Sequence, residues 1–246
     1  MNNDKSGKVY IVGAGIGKID YLTVKAYSLL TQAEILIYDA LVNTELLTLV
    51  PKDCIKIDVG KRGGKPSTPQ TEINQLLVEY CQKNQIVVRL KSGDPFIFGR
   101  TISEIQTLIT AKCNWEIVPG ISAVMAAPLL AGIPLTDTVL SRCFVVFTGH
   151  EINDLDWENI AGIETLVILM GGKNLSKIIE QLVRHKKSIN TPIAIIKNAG
   201  HEHQEVWTGE LSNILSQVKS ISLSPAVIVI GEVVKFREYL LGNNYE

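Results

Sequence analysis

Apolar residues occur along this chain in short continuous runs, which alternate with longer segments whose apolar positions recur at helical spacing. Runs rich in β-branched residues predict strands, and strands that are apolar at nearly every position are typical of a parallel sheet covered on both faces. The predicted strands of the first half are Val9–Val12, Ile35–Tyr38, Ile55–Val59, Ile86–Leu90 and Trp115–Val118. Those of the second half are Phe144–Thr148, Thr165–Met170, Ile193–Lys197 and Ala226–Gly231.

The segments between these runs predict helices. They are Leu22–Gln32, Glu45–Leu49, Thr71–Lys83, Ile102–Ala111, Leu175–Arg184 and Leu211–Val218. Alternation of strands and helices predicts an α/β fold with about nine or ten strands. One sheet of that size is uncommon, and Gly132–Arg142 is a plausible connector. We therefore predict two α/β domains, residues 1–138 and 139–246, with a ligand in the crevice between them or at the carboxyl ends of the strands.

Composition excludes several classes of protein. The 246 residues are 46% hydrophobic, and 24 Lys and Arg against 25 Asp and Glu give a net charge of −1. These values exclude a disordered chain, collagen and a disulfide scaffold. A near-zero net charge also argues against a dedicated nucleic-acid-binding protein, which would carry an excess of Lys and Arg.

No membrane span and no disulfide framework are expected. The most apolar stretch, Ala123–Leu135, is interrupted by Pro128, Gly132 and Pro134, and it is shorter than the roughly 20 residues of a spanning helix. The four cysteines are scattered, without a CxxC pair, so we expect reduced thiols in a cytoplasmic protein.

The first predicted strand runs into the glycine-rich segment Gly13–Gly17, and Asp39 closes the second strand. This arrangement is close to the dinucleotide-binding fingerprint, in which an acidic residue binds the ribose hydroxyls. The third glycine, however, comes one position too early and is followed by Lys18. Binding of a nicotinamide or flavin nucleotide and a purely structural turn therefore both remain open at this loop.

A more specific signal is the segment Ser92–Arg100, SGDPFIFGR, which directly follows a predicted buried strand. A turn accounts for its Ser-Gly-Asp-Pro residues but not for the whole string. With this segment the chain closely resembles the tetrapyrrole (corrin/porphyrin) methyltransferases, and among them those that act on uroporphyrinogen III. The resemblance extends from Val9 to about Glu238. Its other segments are VGAGIGKIDYLT, YDALV, VGKRGGKPSTPQTEIN, VPGISAVMAAPLLAGIPLT, FTGH, LVILMGGKNL, TPIAIIKNA and SPAVIVIGEVV.

The resemblance implies two α/β domains of the tetrapyrrole methylase type, a homodimer, and S-adenosyl-L-methionine bound in a cleft between the domains. It implies C-methylation of uroporphyrinogen III at C2 and C7, giving precorrin-2 by way of precorrin-1, with S-adenosyl-L-homocysteine as the second product. These products lead towards sirohaem or cobalamin. The alternatives left open are a methyltransferase for a later corrinoid precursor, a nicotinamide or flavin oxidoreductase, and a non-catalytic binding protein. At this length we expect the methyltransferase without the dehydrogenase and chelatase region that some members carry.

The resemblance also assigns site residues. Asp39 would be the proton acceptor and Lys61 the proton donor, although Lys61 could instead bind substrate carboxylates or be a solvated charge. Arg62, Lys65 and Arg100 would bind substrate carboxylates. The residues expected at the cofactor are Ile16, Ser92, Gly93, Asp94, Ile97, Ser122, Ala123, Met170 and Ala199.

Some of these positions allow a second interpretation. Asp94 could cap its own turn, and Met170 could be an ordinary core residue. Ile16, Ser92 and Ala199 also differ from the residues usual in the family. His201 and His203 form a weak metal signal because no third ligand is near in sequence, so we expect no bound metal.

Overall fold

The structure is a computed structural model that describes residues 7–60, 68–83 and 85–242. The chain forms two compact units, Met1–Ser122 and Ala123–Glu246. Within the described ranges, no helix combines the length and the apolar character needed to cross a membrane.

The first unit is built on a five-stranded sheet whose order is β3-β2-β4-β1-β5. Every pairing in this sheet is parallel, so the carboxyl ends of all its strands lie along one edge. The strands are β1 (Lys8–Gly13), β2 (Ile35–Tyr38), β3 (Ile55–Asp58), β4 (Ile86–Lys91) and β5 (Asn114–Val118).

Helices cover both faces of this first sheet. They are α1 (Val24–Leu30), α2 (Gln70–Gln82) and α3 (Thr101–Thr110), with short 3₁₀ helices at Ile19–Tyr21 and Thr44–Thr48. Alternate residues of β4 point to opposite faces: Val88 and Leu90 pack with residues of α1, whereas Val87 packs with residues of α2 and α3. Arg89 and Lys91 therefore belong to the face that α2 and α3 cover.

The second unit contains a mixed five-stranded sheet of order β6-β7-β10-β8-β9. Only β6 and β7 pair in parallel, because β10 runs antiparallel to both β7 and β8, and β9 antiparallel to β8. Consequently β7 and β8 end at the same edge. The strands are β6 (Phe144–Thr148), β7 (Thr165–Leu169), β8 (Pro192–Lys197), β9 (Glu205–Glu210) and β10 (Ala226–Ile230).

The second sheet also lies between two helical layers. One apolar cluster joins it to α5 and α6, and the other joins it to α4 and to the 3₁₀ helix Glu232–Lys235. The helices are α4 (Ala123–Leu130), α5 (Trp157–Ala161), α6 (Leu175–Arg184), α7 (Ile214–Gln217) and α8 (Phe236–Gly242).

The division between the units falls after Ser122, whereas the sequence analysis placed it after residue 138. The reason is the packing of α4 and the segment after it. Ala127, Ala131 and Ile133 are buried in the cluster formed with the second sheet, so the apolar stretch that precedes the expected connector belongs to the second unit.

All nine predicted strands are present, with each end within one residue of the prediction. The prediction missed β9, an edge strand that starts and ends with glutamate and contains a glycine. It also missed α5 and α8, and it did not recognise the proline-containing α4 as a helix. The predicted helix at Glu45–Leu49 is a 3₁₀ helix.

Candidate functional site

The loops that follow β1 and β4 are hydrogen-bonded to each other at the carboxyl edge of the first sheet. Gly15 N donates to Gly93 O (3.3 Å), and Gly93 N donates back to Gly15 O (2.8 Å). Ala14 N donates to Lys91 O (2.7 Å). Gly15 and Gly93 have φ angles of +63° and +68°, a left-handed conformation that glycine adopts without a Cβ penalty.

The loop after β5 joins this contact through Gly120. A Cβ atom on Gly13 would lie 2.4 Å from Gly120 N, and a Cβ atom on Gly120 would lie 2.3 Å from Gly93 O. We call Gly13, Gly15, Gly93 and Gly120 the glycine junction. The backbones of the loops are in contact at this junction. β1 and β4 are neighbours in the sheet, but the chain continues from β1 to β2 on one side of the pair and from β4 to β5 on the other. Parallel sheets bind ligands at such a position.

The geometry after β1 does not match the dinucleotide-binding fingerprint. The glycines lead into the 3₁₀ helix Ile19–Tyr21, and α1 begins only at Val24, capped by Thr23. A pyrophosphate in that fingerprint rests on a helix N-terminus directly after the glycines. No α-helix begins directly after these glycines, so the structure favours the turn over a nucleotide loop.

The predicted residues Ser92, Asp94 and Ile97 belong to the loop that carries Gly93. Asp94 Oδ1 accepts a hydrogen bond from Phe96 N (2.8 Å), and Ile97 N donates to Asp94 O (3.2 Å). Asp94 thus stabilises its own turn, which is the second interpretation that the sequence analysis gave for this residue. Ser92 and Asp94 are half-buried and Ile97 is 41% exposed.

Asp39 lies directly after β2, beside the end of β4. Its backbone N donates to Leu90 O (3.2 Å), and its carboxylate Oδ1 accepts a hydrogen bond from Arg89 Nη2 at 2.6 Å. The Asp39 side chain is 31% exposed, whereas that of Arg89 is 3% exposed. The structure therefore places a partly accessible carboxylate at the carboxyl edge and ties it to a buried guanidinium group.

The buried guanidinium of Arg89 continues into a wider network of charges. Arg89 Nε donates to Glu104 Oε1 at 3.0 Å, and Lys91 Nζ donates to both oxygens of Glu104 at 2.9 Å. Glu104 is completely buried and Lys91 is 2% exposed. We call Asp39, Arg89, Glu104 and Lys91 the charged tetrad; its charges alternate in sign, so that each is compensated.

Burial acts on the two cations of the charged tetrad in different ways. Burial lowers the pKa of Lys91, and the positive charge of Arg89 lowers it further, although Glu104 opposes both effects. Burial would also lower the pKa of Arg89, but the carboxylates of Asp39 and Glu104 outweigh it and raise that pKa. Arg89 therefore stays charged.

Three further predicted cofactor residues lie beside the glycine junction in sequence. Ile16 is 9% exposed and follows Gly15. Ser122 is half-buried and follows Gly120 by two positions. Ala123, also half-buried, starts α4 in the second unit.

Met170 and Ala199 lie just beyond β7 and β8, which end at the same edge of the second sheet. Met170 is 51% exposed, so it is not an ordinary core residue. Its φ angle is +57°, and that of Asn198, which precedes Ala199, is +52°. Left-handed backbone at a residue other than glycine is uncommon, and it is enriched at functional sites. Sequence analysis did not select Asn198, although asparagine tolerates this conformation better than most residues.

Arg100 is exposed and occupies the position before α3, with a φ angle of +55°. Lys61, Arg62 and Lys65, the other predicted substrate and catalytic residues, lie outside the described residues. Their predicted roles rest on the sequence resemblance alone.

Sequence analysis missed Arg89, Lys91 and Glu104. The signal was present, because two cations occur within the otherwise apolar strand VVRLK, and buried charges require partners. Glu104 follows the same logic, since it lies on the face of α3 that buries Ile105 and Leu108. Sequence alone did not indicate that these three residues pair with one another.

Among the described residues, no group of three or more His, Cys, Asp or Glu side chains could hold a metal ion. The rings of His201 and His203 have centroids 5.4 Å apart and planes tilted by 33°.

Known proteins resemble this chain over most of its length. The family model of the tetrapyrrole (corrin/porphyrin) methylases matches residues 8–215. The uroporphyrinogen-III C-methyltransferase of Synechococcus elongatus is 53% identical over 98% of this chain and 99% of its own. The S-adenosyl-L-methionine-dependent uroporphyrinogen III methyltransferase of Methanosarcina barkeri is 40% identical over 95% of this chain and 94% of its own.

Solved structures agree with these sequence matches. The uroporphyrin-III C-methyltransferase of Thermus thermophilus, crystallised with S-adenosylhomocysteine, superposes with a TM-score of 0.80. It is 33% identical over 93% of this chain and 99% of that one. Siroheme synthases also match, and this chain spans about half of their length. The family model, the near full-length relatives and the shared fold show that the chain belongs to the tetrapyrrole (corrin/porphyrin) methylases.

Proposed function

We propose that this protein transfers methyl groups from S-adenosyl-L-methionine to C2 and C7 of uroporphyrinogen III, giving precorrin-2 by way of precorrin-1. The observation that carries this proposal is the near full-length match to proteins named for the reaction. The local geometry agrees with it. A carboxylate able to accept a proton lies at the carboxyl edge of the parallel sheet, where the loops of the glycine junction also meet.

The glycine junction brings the backbones of three loops into direct contact at the carboxyl edge of the first sheet, which is where parallel sheets bind ligands. We propose that Ile16, Ser92, Gly93, Asp94 and Ile97 contact S-adenosyl-L-methionine from the first unit. Ser122, Ala123, Met170 and Ala199 would complete its site. When bound, this cofactor supplies an electrophilic methyl group on a sulfonium sulfur. The residues of the chain then hold substrate and methyl group in line.

Asp39 is proposed as the proton acceptor. In each transfer a ring carbon of the substrate forms a bond to the methyl group, the sulfur–methyl bond breaks, and S-adenosyl-L-homocysteine leaves. The methylated ring then loses a proton as its double bonds rearrange. A carboxylate at the edge of the sheet, 31% exposed and fixed by Arg89, is suited to take that proton.

Positive side chains are proposed to bind the carboxylates of the substrate. Arg100 is exposed at the start of α3, and a guanidinium group binds carboxylates through two hydrogen bonds. Arg62 and Lys65 are assigned the same role from their sequence positions. Lys61 is proposed as the proton donor.

We further propose that the protein acts as a homodimer in the cytoplasm. Met125 and Leu129, four residues apart on α4, are 52% and 73% exposed. Exposed apolar positions on one helix face favour contact with a second copy. The free cysteines favour a reducing compartment. The first unit would supply the acid–base and substrate residues, and the second would complete the cofactor site.

The reaction is tested by incubating the protein with uroporphyrinogen III and S-adenosyl-L-methionine carrying a labelled methyl group. Mass spectrometry of the product should show two added methyl groups. One methyl group would mean that the enzyme stops at precorrin-1. No transfer would overturn the proposed substrate and direct the search to later corrinoid precursors.

The role of Asp39 is tested by Asp39→Asn, with Asp53→Asn as a matched control. Asp53 is an exposed aspartate close before β3, at the opposite edge of the same sheet. We expect Asp39→Asn to lower the rate of methyl transfer by about 10²- to 10⁴-fold, the usual contribution of a general base. Affinity for S-adenosyl-L-homocysteine, measured by calorimetry, should change little. Equal rates for the two variants would refute the acceptor role.

A further inference from the structure

The carboxylate of Asp39 accepts a hydrogen bond from Arg89, which is itself bound to the buried Glu104. Arg89 is in register with Ile37 of β2, two residues before Asp39, so the pair is diagonal across neighbouring strands. Arg89 Nη2 donates to Asp39, and Arg89 Nε donates to Glu104. The guanidinium group therefore bridges a buried carboxylate and a partly exposed one.

Lys91 is two residues after Arg89, on the same face of β4. In the register of the sheet it is nearer to Asp39 than Arg89 is. Its ammonium group nevertheless donates to both oxygens of Glu104 at 2.9 Å. Lys91 and Arg89 thus share Glu104 Oε1 as an acceptor, and Lys91 also donates to Oε2. Arg89 uses Nε for Glu104 and Nη2 for Asp39.

Stability alone does not account for the charged tetrad. Buried ion pairs cost desolvation free energy, and well-packed apolar residues of similar size are usually as stabilising or more so. Arg89, Lys91 and Glu104 are almost completely buried, so solvent cannot reduce that cost. The one member with a substantially exposed side chain, at 31%, is Asp39, at the edge where the loops of the glycine junction meet.

We propose that Arg89 is a positioning residue for methyl transfer, which fixes the Asp39 carboxylate at the carboxyl edge while Glu104 and Lys91 fix Arg89. The proposal rests on the acceptor role given to Asp39. One oxygen of Asp39 is bound to Arg89, and the direction of the other oxygen is thereby set. Proton transfer requires an acceptor placed within hydrogen-bond distance of the reacting group.

Arginine is suited to this task in a way that lysine is not. Its planar guanidinium group carries donors that point in fixed, different directions, whereas the ammonium group of lysine is a single point of charge on a flexible chain. At position 89 a lysine would keep the positive charge but could not serve Glu104 and Asp39 in the same geometry. The variant Arg89→Lys therefore separates position from charge.

We expect Arg89→Lys to lower kcat for methyl transfer by about 100-fold, the cost of a misplaced catalytic group. The KM for uroporphyrinogen III and the affinity for S-adenosyl-L-homocysteine should change less than about threefold. Arg184→Lys is the matched control, because Arg184 is exposed on α6 and forms an ion pair with Glu180 at 4.0 Å. That variant should behave as the unmodified protein does.

A double-mutant cycle with Asp39→Asn distinguishes positioning from a general structural effect. If Arg89 acts through Asp39, then Arg89→Lys costs nothing more in a protein that already carries Asp39→Asn. Additive losses would overturn the positioning role. If Asp39→Asn alone leaves kcat unchanged, the acceptor role of Asp39 is refuted. If Asp39→Asn lowers kcat but Arg89→Lys does not, the acceptor role stands and the positioning role of Arg89 is refuted.

A second variant keeps the proposal testable if Arg89→Lys does not fold. Asp39→Glu retains the carboxylate and its charge but moves the carboxylate by one methylene group. Because the proposal concerns position, we expect Asp39→Glu to lose most of the turnover while binding S-adenosyl-L-homocysteine normally. Unaltered turnover would show that the place of the carboxylate is not critical, and the proposal would be abandoned.

Discussion

The interiors of the two sheets differ in the kind of polar residue that they bury. Among the described residues of the first unit, Arg89, Lys91 and Glu104 are buried charged side chains, together with the neutral Asn74 and Thr101. In the second unit, over residues 123–242, the buried polar residues are two hydroxyl side chains, Ser141 and Thr165. Both sheets are otherwise lined with apolar residues on both faces.

This difference corresponds to what the two sheets do in our proposal. The second unit supplies loops and backbone geometry at a strand edge, which an apolar interior supports adequately. The first unit must in addition place a charged group that takes part in proton transfer. A charged side chain near the end of a strand is held in place by hydrogen bonds from partners that are themselves charged and buried. In our proposal the charged tetrad therefore serves function at a cost in stability.

The largest effect is expected from breaking the charged tetrad. Glu104→Leu leaves Arg89 and Lys91 buried with a single carboxylate between them, so we expect a loss of about 3–5 kcal/mol in the free energy of unfolding. Thr165→Val is the comparison in the second unit. Thr165 Oγ1 donates to Ser141 Oγ at 2.7 Å, and removing this neutral hydrogen bond should cost about 1 kcal/mol. Urea unfolding measures both.

The same experiment has an extension that separates stability from activity. Replacing the three buried members together, as Arg89→Met, Lys91→Met and Glu104→Leu, gives the first sheet an apolar interior like that of the second. We expect this triple variant to recover most of the stability lost in Glu104→Leu, or to exceed the original, while turnover remains low. A triple variant as unstable as Glu104→Leu would mean that the charges are needed for folding.

Intermediate effects are expected at the glycines. Gly120→Ala places a Cβ atom 2.3 Å from Gly93 O, a backbone atom that moves only with its loop. We expect destabilisation of about 1–3 kcal/mol and weaker binding of S-adenosyl-L-homocysteine. Gly162→Ala is the control in the second unit, because its Cβ atom would have only Asn159 O nearby, at 3.5 Å, and its φ angle is −76°.

At Gly162 we expect a stabilisation of about 0.4–1 kcal/mol, since alanine restricts the unfolded chain. Thermal melts with and without S-adenosyl-L-homocysteine measure both effects. Normal ligand binding by Gly120→Ala would argue that the glycine junction is a packing device and not part of the cofactor site.

The sequence predicted the strands well because a continuous apolar run is a local property. Phe144–Thr148 and Ala226–Ile230 are both recognisable in this way, but such runs carry no direction. That β10 is antiparallel to its neighbours therefore had to come from the structure. Edge strand β9 is half-exposed and polar, so its pattern was too weak to predict.

The candidate site shows the same limit. Asp39 and Gly93 could be placed at strand ends from the sequence, and those positions are at the carboxyl edge of the first sheet. The pairing of Arg89 with Glu104, by contrast, joins a strand to the helix that follows it, through side chains whose direction depends on how α3 lies on the sheet. Local spacing does not encode that contact.

The smallest effect tests whether burial, and not charge itself, makes the two interiors different. Glu116 on β5 accepts hydrogen bonds from Lys25 on α1 and, at 2.7 Å, from Lys8 on β1. All three side chains are at least 30% exposed. Glu116→Gln should therefore cost only about 0.2–1 kcal/mol near neutral pH, far less than Glu104→Leu, and less still at high salt.

The pH dependence of this small effect has a definite sign. The hydrogen bonds from Lys25 and Lys8 hold the pKa of Glu116 below its usual value of 4.5. The unfolded chain then binds its proton more readily than the folded protein does, so the contribution of Glu116 is complete above about pH 4.5 and decreases as the pH falls through the folded pKa. Unfolding curves of the original protein and Glu116→Gln should differ at pH 7 and converge below the folded pKa. If Glu116→Gln instead cost as much as Glu104→Leu, the contrast between the two sheets would reflect the number of ion pairs in the first unit, and the argument that its buried charges serve Asp39 would lose its main support.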